Sequence, residues 1–357
     1  MKINFVGDLI FGDQPVKFGF GFDSLHHKTN YKKVFQGVEN SFSQAQFNVA
    51  NFESIIKDRP LKPTVSNWSM CCDNNVVEVM LQANINVVSV ANNHSMDYGL
   101  DSFNNTVNSL EAAAIKVIGK KNHPYAILSH DNLKLAIIGV SYLKVKTPDV
   151  PYFYNPTNEE WKNLIERLKI ESVNKVVIYV HWGNEFVDHP SEKQLEILND
   201  LSKLGVDAIV GHHPHVLQPA YLFKNIPVFF SLGNFVSDYW QKRARISTIL
   251  NLSIDKDALM DWKQTSCYLN EEGCPAVTKD KIDVEFKSEI ISSTIEDVNA
   301  SRKRLRVEYL NMLSKNFYKI KNKRLFLNWL YRRFVFIVKY GKEEKINPDI
   351  IYEKYKH

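Results

Sequence analysis

The chain has 357 residues, of which 44% are hydrophobic and 24% charged. That suits a soluble globular protein of one large or two medium domains, and nothing in it is repetitive or of low complexity. The net charge of +5 hides a split: residues 1–301 hold 29 Lys and Arg against 35 Asp and Glu, whereas residues 302–345 hold 14 against 3. The C-terminal segment therefore faces something anionic, whether lipid headgroups, a polyanion or the acidic body of its own chain.

The opening "MKINFVGDLIFGD" sets Asp8 inside what would be the apolar part of a secretory signal, and no apolar run reaches the roughly 18 residues of a membrane span. A cytoplasmic location is the resulting expectation, with the basic C-terminal segment as a candidate for peripheral contact at the inner membrane surface. Cys71 and Cys72 are adjacent and none of the four cysteines has CxxC spacing, so reduced thiols are expected.

Up to about Asp238, short apolar runs rich in Val and Ile recur, and several stop at a polar cluster. "KINFV" precedes "GD", "FNVA" precedes "NFE", "INVVSVA" precedes "NNH", "KVVIYV" precedes "HWG", "VDAIV" precedes "GHHPH" and "IPVFFSL" precedes "GNF". Runs of this length read as buried strands. Between them "SFNNTVNSLEAAA", "EEWKNLIERLK" and "SEKQLEILNDLSKLG" have helical spacing, and the alternation predicts a layered α/β architecture. Residues 246–287 read as an added hairpin region, with "ISTILNLSID" and "KIDVEFKS" as strands around a polar insertion that holds Cys267 and Cys274. From about Ile290 the pattern turns helical and basic. The division expected is 1–288 as the catalytic domain and 289–357 as a basic, mainly helical segment.

Each polar cluster alone is weak, since Asn and Asp favour turns anyway. Together Asp8, Asn51, Glu53, Asn92, Asn93, His94, His181, His212, His213, His215 and Asn234 mix carboxylate and amide oxygens with imidazoles, a set suited to one or two divalent transition metals. Glu53 is the candidate bridge between two ions. In "VGHHPHVLQP", Pro214 forbids a continuing helix, so an extended segment would point His213 and His215 to one side and send His212 elsewhere. Glu185, four residues after His181, reads as a partner that orients an imidazole, as a substrate contact, or as a solvated glutamate. Asn234 reads as a similar partner or as a turn residue.

The motifs "GDLIFGD", "NFES", "ANNHSMDYG", "HWGNEF", "VGHHPHVLQP" and "SLGNFV", in this order over residues 1–240, resemble the CapA family, named for capsule and poly-gamma-glutamate biosynthesis, within the calcineurin-like metallophosphoesterase superfamily. The resemblance implies a four-layered αββα sandwich with a dinuclear metal centre at the strand ends, here followed by a C-terminal helical extension. It implies Asp8 as ligand of a first metal, Glu53 as bridge, and Asn93, His181 and His213 as ligands of a second, with His215 returning to the first. His94 would be the catalytic acid or charge stabiliser, and Mn, Fe or Zn the cofactor. Two positions depart from the pattern. Ile10 stands where a classical phosphoesterase has the histidine of Asp-x-His, and Asp13 stands where many CapA-like chains carry a basic residue.

The function expected is hydrolytic or transfer chemistry on a phosphoryl or acyl group in the biosynthesis of a cell-surface polymer, with an anionic polymer or its precursor as substrate. The alternatives are a small-molecule phosphatase or phosphodiesterase, and a non-catalytic scaffold of a polymer-synthesis complex. In "NKRLFLNWLYRRFVFIVKYG", Arg332 and Arg333 break the apolar run, leaving an interfacial helix or, as the favoured reading, a helix packed on the catalytic domain. Nucleic acid is the weakest partner, because no Gly-rich phosphate loop, helix-turn-helix or finger accompanies the basic residues.

Overall fold

The computed structural model describes residues 1–145, 149–279, 286–287 and 289–316. The strands in its first half are β1 (Lys2–Leu9), β2 (Phe47–Phe52), β3 (Ile55–Ile56), β4 (Cys71–Cys72), β5 (Ile85–Ser89), β6 (Lys116–Ile118), β7 (Tyr125–His130) and β8 (Leu133–Ser141). Then come β9 (Lys175–His181), β10 (Ala208–His212), β11 (Leu217–Phe223), β12 (Ile226–Leu232), β13 (Asn234–Val236), β14 (Ile246–Ile254), β15 (Met260–Leu269), β16 (Pro275–Val277) and β17 (Phe286–Lys287). The helices are α1 (Phe22–His26), α2 (Glu39–Phe42), α3 (Val65–Trp68), α4 (Asn75–Gln82), α5 (Gly99–Ala112), α6 (Asn158–Ile170), α7 (Glu192–Leu201) and α8 (Ile295–Asn316).

Two mixed sheets result. The first runs β16-β15-β14-β1-β2-β5-β6 with β13 also on β1, and the second runs β17-β11-β12-β10-β9-β8-β7. Ile3, Phe5, Val49 and Val87 of the first sheet pack on Leu135, Ile137, Tyr179 and Val210 of the second. The opposite face of the first sheet carries Val6, Leu9 and Val88 against Val76, Met80, Phe103 and Leu110 of α4 and α5. The far face of the second carries Ile138, Ile178 and Ile209 against Trp161, Leu164 and Leu168 of α6 and Leu198 and Leu201 of α7. The order of layers is therefore α, β, β, α, the four-layered sandwich expected.

The central strands β1, β8, β9 and β10 are buried on both faces along most of their length, which is why they read as continuous apolar runs. Each such Leu, Ile or Phe contributes about 1.5–3 kcal/mol when fully buried. The outer helices are set by local signals. Thr157 accepts from the Glu160 amide while the Glu160 carboxylate accepts from the Thr157 amide at 2.7 Å, and Ser191 and Gln194 repeat the arrangement on α7. Both are capping boxes.

Two parts differ from the sequence expectation. β14 is integral to the first sheet, pairing with β1 from Lys2 to Phe5, and the stretch read as a polar insertion is mostly β15, paired with β14 from Met260 to Tyr268. β15 lies toward the sheet edge with exposed or half-exposed side chains along most of it, so its composition is polar although its backbone is strand. The hairpin β7–β8, with β7 at the edge of the second sheet, has no counterpart in the sequence reading either. The helical extension begins with α8, where Ser301 Oγ donates to the Phe186 carbonyl at 2.6 Å and Leu305 packs on Phe186, Val216 and Ala244. The basic aromatic stretch 322–341 lies outside the described residues. Among the described residues no helix is long and apolar enough to cross a membrane.

Candidate metal centre

Parallel pairing brings the carboxyl ends of strands from both sheets to one place. Asp8 is in register with Asn51 on β2 and Asn234 on β13, and His181 with His212 and Ser141. Beyond the end of β2 comes Glu53, and beyond β5 come Asn92, Asn93 and His94. Gly7 makes the approach of β1 to β13 feasible, since a Cβ there would lie 1.7 Å from the Gly233 carbonyl oxygen.

Asp8, Asn51, Glu53, Asn92, His181, His212 and Asn234 are fully buried, and His213 and His215 nearly so. Asn51 Nδ2 donates to Asp8 Oδ1 at 2.8 Å and lies 3.4 Å from His181 Nδ1. Asp8 Oδ2 accepts from the His213 amide at 3.1 Å and lies 3.5 Å from His215 Nδ1. His215 Nδ1 is 2.8 Å from Asn234 Oδ1, whose amide donates to the carbonyls of His215 and Ala244. His181 Nε2 sits 2.7 Å from Asn93 Oδ1 and 3.7 Å from Glu53 Oε1. His94 Nε2 is 3.9 Å from the same Glu53 oxygen.

Donor atoms fall into four overlapping groups, each with members within 4.8 Å of one another: Asp8, His181 and His212; Glu53, His181 and His213; Asp8, Glu53 and His215; Glu185, His213 and His215. The structure thus brings the expected residues together. It also puts His212 with them, against the expectation that it points elsewhere. β10 extends to His212, and the backbone then turns, with φ of +98° at His213 and +58° at His215. The segment is a left-handed turn and not extended, so all three rings converge. Such a φ is strained for a residue other than glycine and recurs at functional sites.

Five polar atoms at the centre lack partners. By distance and angle neither Glu53 oxygen receives a hydrogen bond, nor do either nitrogen of His212 or Nδ1 of His213. Burial, then the charges of Asp8 and Glu185, push the Glu53 carboxyl well above its usual range. Burial, then the neighbouring imidazoles, push His181 and His213 well below theirs, and burial holds His212 at about 4. Burial acts to raise Asp8 as well, yet the hydrogen bond from His215 and the charge of His212 prevail and hold it at about 2. These orphaned oxygens and unprotonated imidazole nitrogens fit a divalent cation, which would reverse every one of those penalties. The first group also bears on Ile10, which is fully buried: His212 offers Asp8 an imidazole that the Asp-x-His position does not.

Asp97 is a residue that sequence reading missed. His94 Nδ1 lies 2.8 Å from Asp97 Oδ2, so the carboxylate accepts the Nδ1 proton and turns Nε2 toward Glu53. The signal was the i, i+3 spacing within "NNHSMDYG". Asn92 completes the arrangement, donating to Asn51 Oδ1 at 3.2 Å and accepting from the His94 amide. Asp13, at the end of the first motif, is buried and accepts from the Gly19 and Ser24 amides and from the Ser24 hydroxyl.

The chain is 26% identical over 302 residues to the "PGA biosynthesis protein CapA" of Bacillus subtilis, covering 79% of this chain and 75% of that protein. It is 26% identical over 267 residues to the "Capsule biosynthesis protein CapA" of Bacillus anthracis, covering 70% of this chain and 63% of the relative. Likeness to solved structures is looser: the 5'-nucleotidase precursor of Thermus thermophilus matches at 13% identity and a TM-score of 0.45, over 88% of this chain and 59% of that one. Residues 2–239, which contain every member of the buried cluster, match the family described as bacterial capsule synthesis protein PGA_cap, and the chain belongs to that family.

Proposed function

We propose that this chain is a metal-dependent enzyme of cell-surface polymer biosynthesis that hydrolyses or transfers a phosphoryl or acyl group of an anionic polymer or its precursor. The observation that carries the reading is Glu53, a fully buried carboxyl that receives no hydrogen bond at either oxygen and faces Asp8 and the imidazoles of His94, His181, His213 and His215. A buried carboxyl that receives no hydrogen bond is costly, and a core built for stability alone would have replaced it. The names of the relatives, which speak of capsule and PGA biosynthesis, support the polymer class.

Asp8, Glu53, Asn93, His181, His213 and His215 would hold one or two ions of Mn, Fe or Zn, with His212 added by the geometry. A bound ion supplies a water of near-neutral pKa and positive charge opposite the oxygens of the reacting group. The remaining work belongs to the protein. Asn51 fixes the Asp8 carboxylate, Asn234 fixes the ring of His215, and Asp97 fixes His94 with Nε2 toward the cluster, where it can hold a proton for the leaving oxygen. His94 is partly exposed, with 18% of its side chain open, which leaves it on the solvent side of an otherwise buried centre.

The test is hydrolysis of p-nitrophenyl phosphate and its diester by protein loaded with Mn. His94→Ala lowers kcat at least a hundredfold, in line with the usual worth of a general acid. Asp97→Asn lowers it less and changes the pH profile, because the ring loses its anionic partner. No turnover by metal-loaded wild type overturns the reading in favour of a scaffold, and unchanged turnover in His94→Ala with intact metal content overturns the role given to His94.

A further inference from the structure

On the far side of the first sheet's hairpin, α1 meets the turn between β15 and β16. His26, the last residue of α1, is buried at 6% exposure and its ring packs on Phe22 with centroids 4.3 Å apart. Cys274 is buried at 5% exposure, and its Sγ lies 3.6 Å from His26 Nε2. The same nitrogen is 2.9 Å from the main-chain oxygen of Glu272, whose exposed carboxylate closes the group: one donor atom from each of His26, Glu272 and Cys274 lies within 4.8 Å of the others. None of these residues belongs to the centre at the strand ends.

We infer that His26, Cys274 and Glu272 form a second metal site, for a thiophilic divalent cation of the zinc class. The distance is the argument. On one tetrahedral zinc, with Zn–N of about 2.0–2.1 Å and Zn–S of about 2.3 Å, the edge between imidazole nitrogen and sulfur is about 3.6 Å, the separation found here. The donor types agree, since thiolate with imidazole selects zinc over the harder Mn or Mg. The turn is shaped to present them. Asn270 Oδ1 accepts from the amides of Glu272 and Cys274 at 2.9 and 3.0 Å, and Gly273 takes a φ of +82° where a Cβ would strike the Ser237 carbonyl at 2.2 Å. Glu272 at the surface gives the ion a way in.

Without the ion, burial holds the Cys274 thiol at about 12, so it stays protonated and can share a hydrogen bond with His26. Binding transfers the thiol proton to solvent and shifts the imidazole proton from Nε2, where it is donated to the Glu272 carbonyl at 2.9 Å, to Nδ1, so affinity rises with pH. The site would tie α1 to the turn, and the turn to the catalytic side: the Gly273 carbonyl accepts from the Ser237 amide at 3.2 Å, immediately after β13, which carries Asn234.

The experiment uses the full chain, reduced and stripped with chelator, titrated with Co(II). A thiolate–cobalt charge-transfer band in the near ultraviolet reports sulfur ligation, and the centre at the strand ends has no sulfur to give one. The band is expected to saturate at one equivalent, to bleach on adding Zn, to persist in His213→Ala, to vanish in Cys274→Ser, and to need at least tenfold more cobalt in His26→Asn. A second measurement needs no variant: Zn slows alkylation of Cys274, followed by peptide mass spectrometry, at least tenfold. No band at saturating cobalt, a band undiminished in Cys274→Ser, or alkylation indifferent to Zn overturns the site and leaves a thiol–imidazole hydrogen bond in its place.

Discussion

Replacing Glu53 by Gln separates what the carboxylate does for the fold from what it does for a metal. In the metal-free protein both its oxygens are buried without donors, and each unsatisfied polar atom costs about 1–3 kcal/mol. Asp8 and Glu185 add repulsion. Glutamine keeps the shape, removes the charge and can donate to Asp8, so chelated Glu53→Gln is expected to melt at or above chelated wild type. Metal reverses the order. At a hundred times its Kd a bound ion stabilises by about 2.7 kcal/mol, which at roughly 1.3–1.7 °C per kcal/mol for a chain of this size is a rise of about 4 °C. Scanning fluorimetry with Mn(II), a hard ion that avoids the thiolate group at His26, should show that rise in wild type and less than about a third of it in Glu53→Gln. An equal rise in both proteins refutes the assignment of Glu53 to the metal. So would a chelated variant that melts well below chelated wild type, because the carboxylate would then have a structural role.

Two further predictions concern the fold around the site. Asp13, raised to about 7 first by burial and then by the charge of Asp238, favours the folded state while protonated. Its contribution is present below the unfolded value of 3.8 and is lost as pH rises to about 7, a change of about 4 kcal/mol for some three pKa units. In Asp238→Asn the new amide can occupy the place of Oδ1, which has no partner, and relieve Asp13; urea unfolding at pH 5 to 8 should then give a shallower pH slope than wild type, with parallel curves counting against the pair. Gly7→Ala forces a methyl onto the Gly233 carbonyl and is expected to cost more than about 3 kcal/mol. Gly205→Ala, at φ +73° with nothing within 4 Å, should cost only about 1 kcal/mol of strain.

The convergence of the site was legible because it follows from topology. A parallel strand delivers its last residue to the same edge as its neighbours, so "GD", "NFE", "NNH", "HWG", "GHHPH" and "GNF" could be placed together from their positions after apolar runs, and the two flanking helical faces on α6 and α7 followed from spacing. Directions within the site were not legible in the same way. His212 was sent outward by an alternation rule that holds for extended chain, and the backbone leaves the extended region at the next residue. Asp97 has no apolar run before it and is placed by the turn after β5. β15 hid behind an edge composition, and the meeting of His26 with Cys274 joins positions 248 apart, a contact no local pattern encodes.

The electrostatics give the site its meaning in a way the set of ligands does not. Near neutral pH, Asp8 is anionic and held so at about 2, Glu53 beside it resists ionising, and His181, His212 and His213 refuse protons. Protonating an imidazole against Glu53 would settle that conflict, but burial and the other rings oppose the positive charge. A proton on Glu53 neutralises that carboxyl but leaves both nitrogens of His212 and Nδ1 of His213 without partners. A divalent cation can satisfy carboxyl and imidazoles together: it supplies two charges at one point, accepts lone pairs from several directions, and leaves each imidazole neutral. The arrangement is therefore compatible with a divalent cation held by several of these side chains at once.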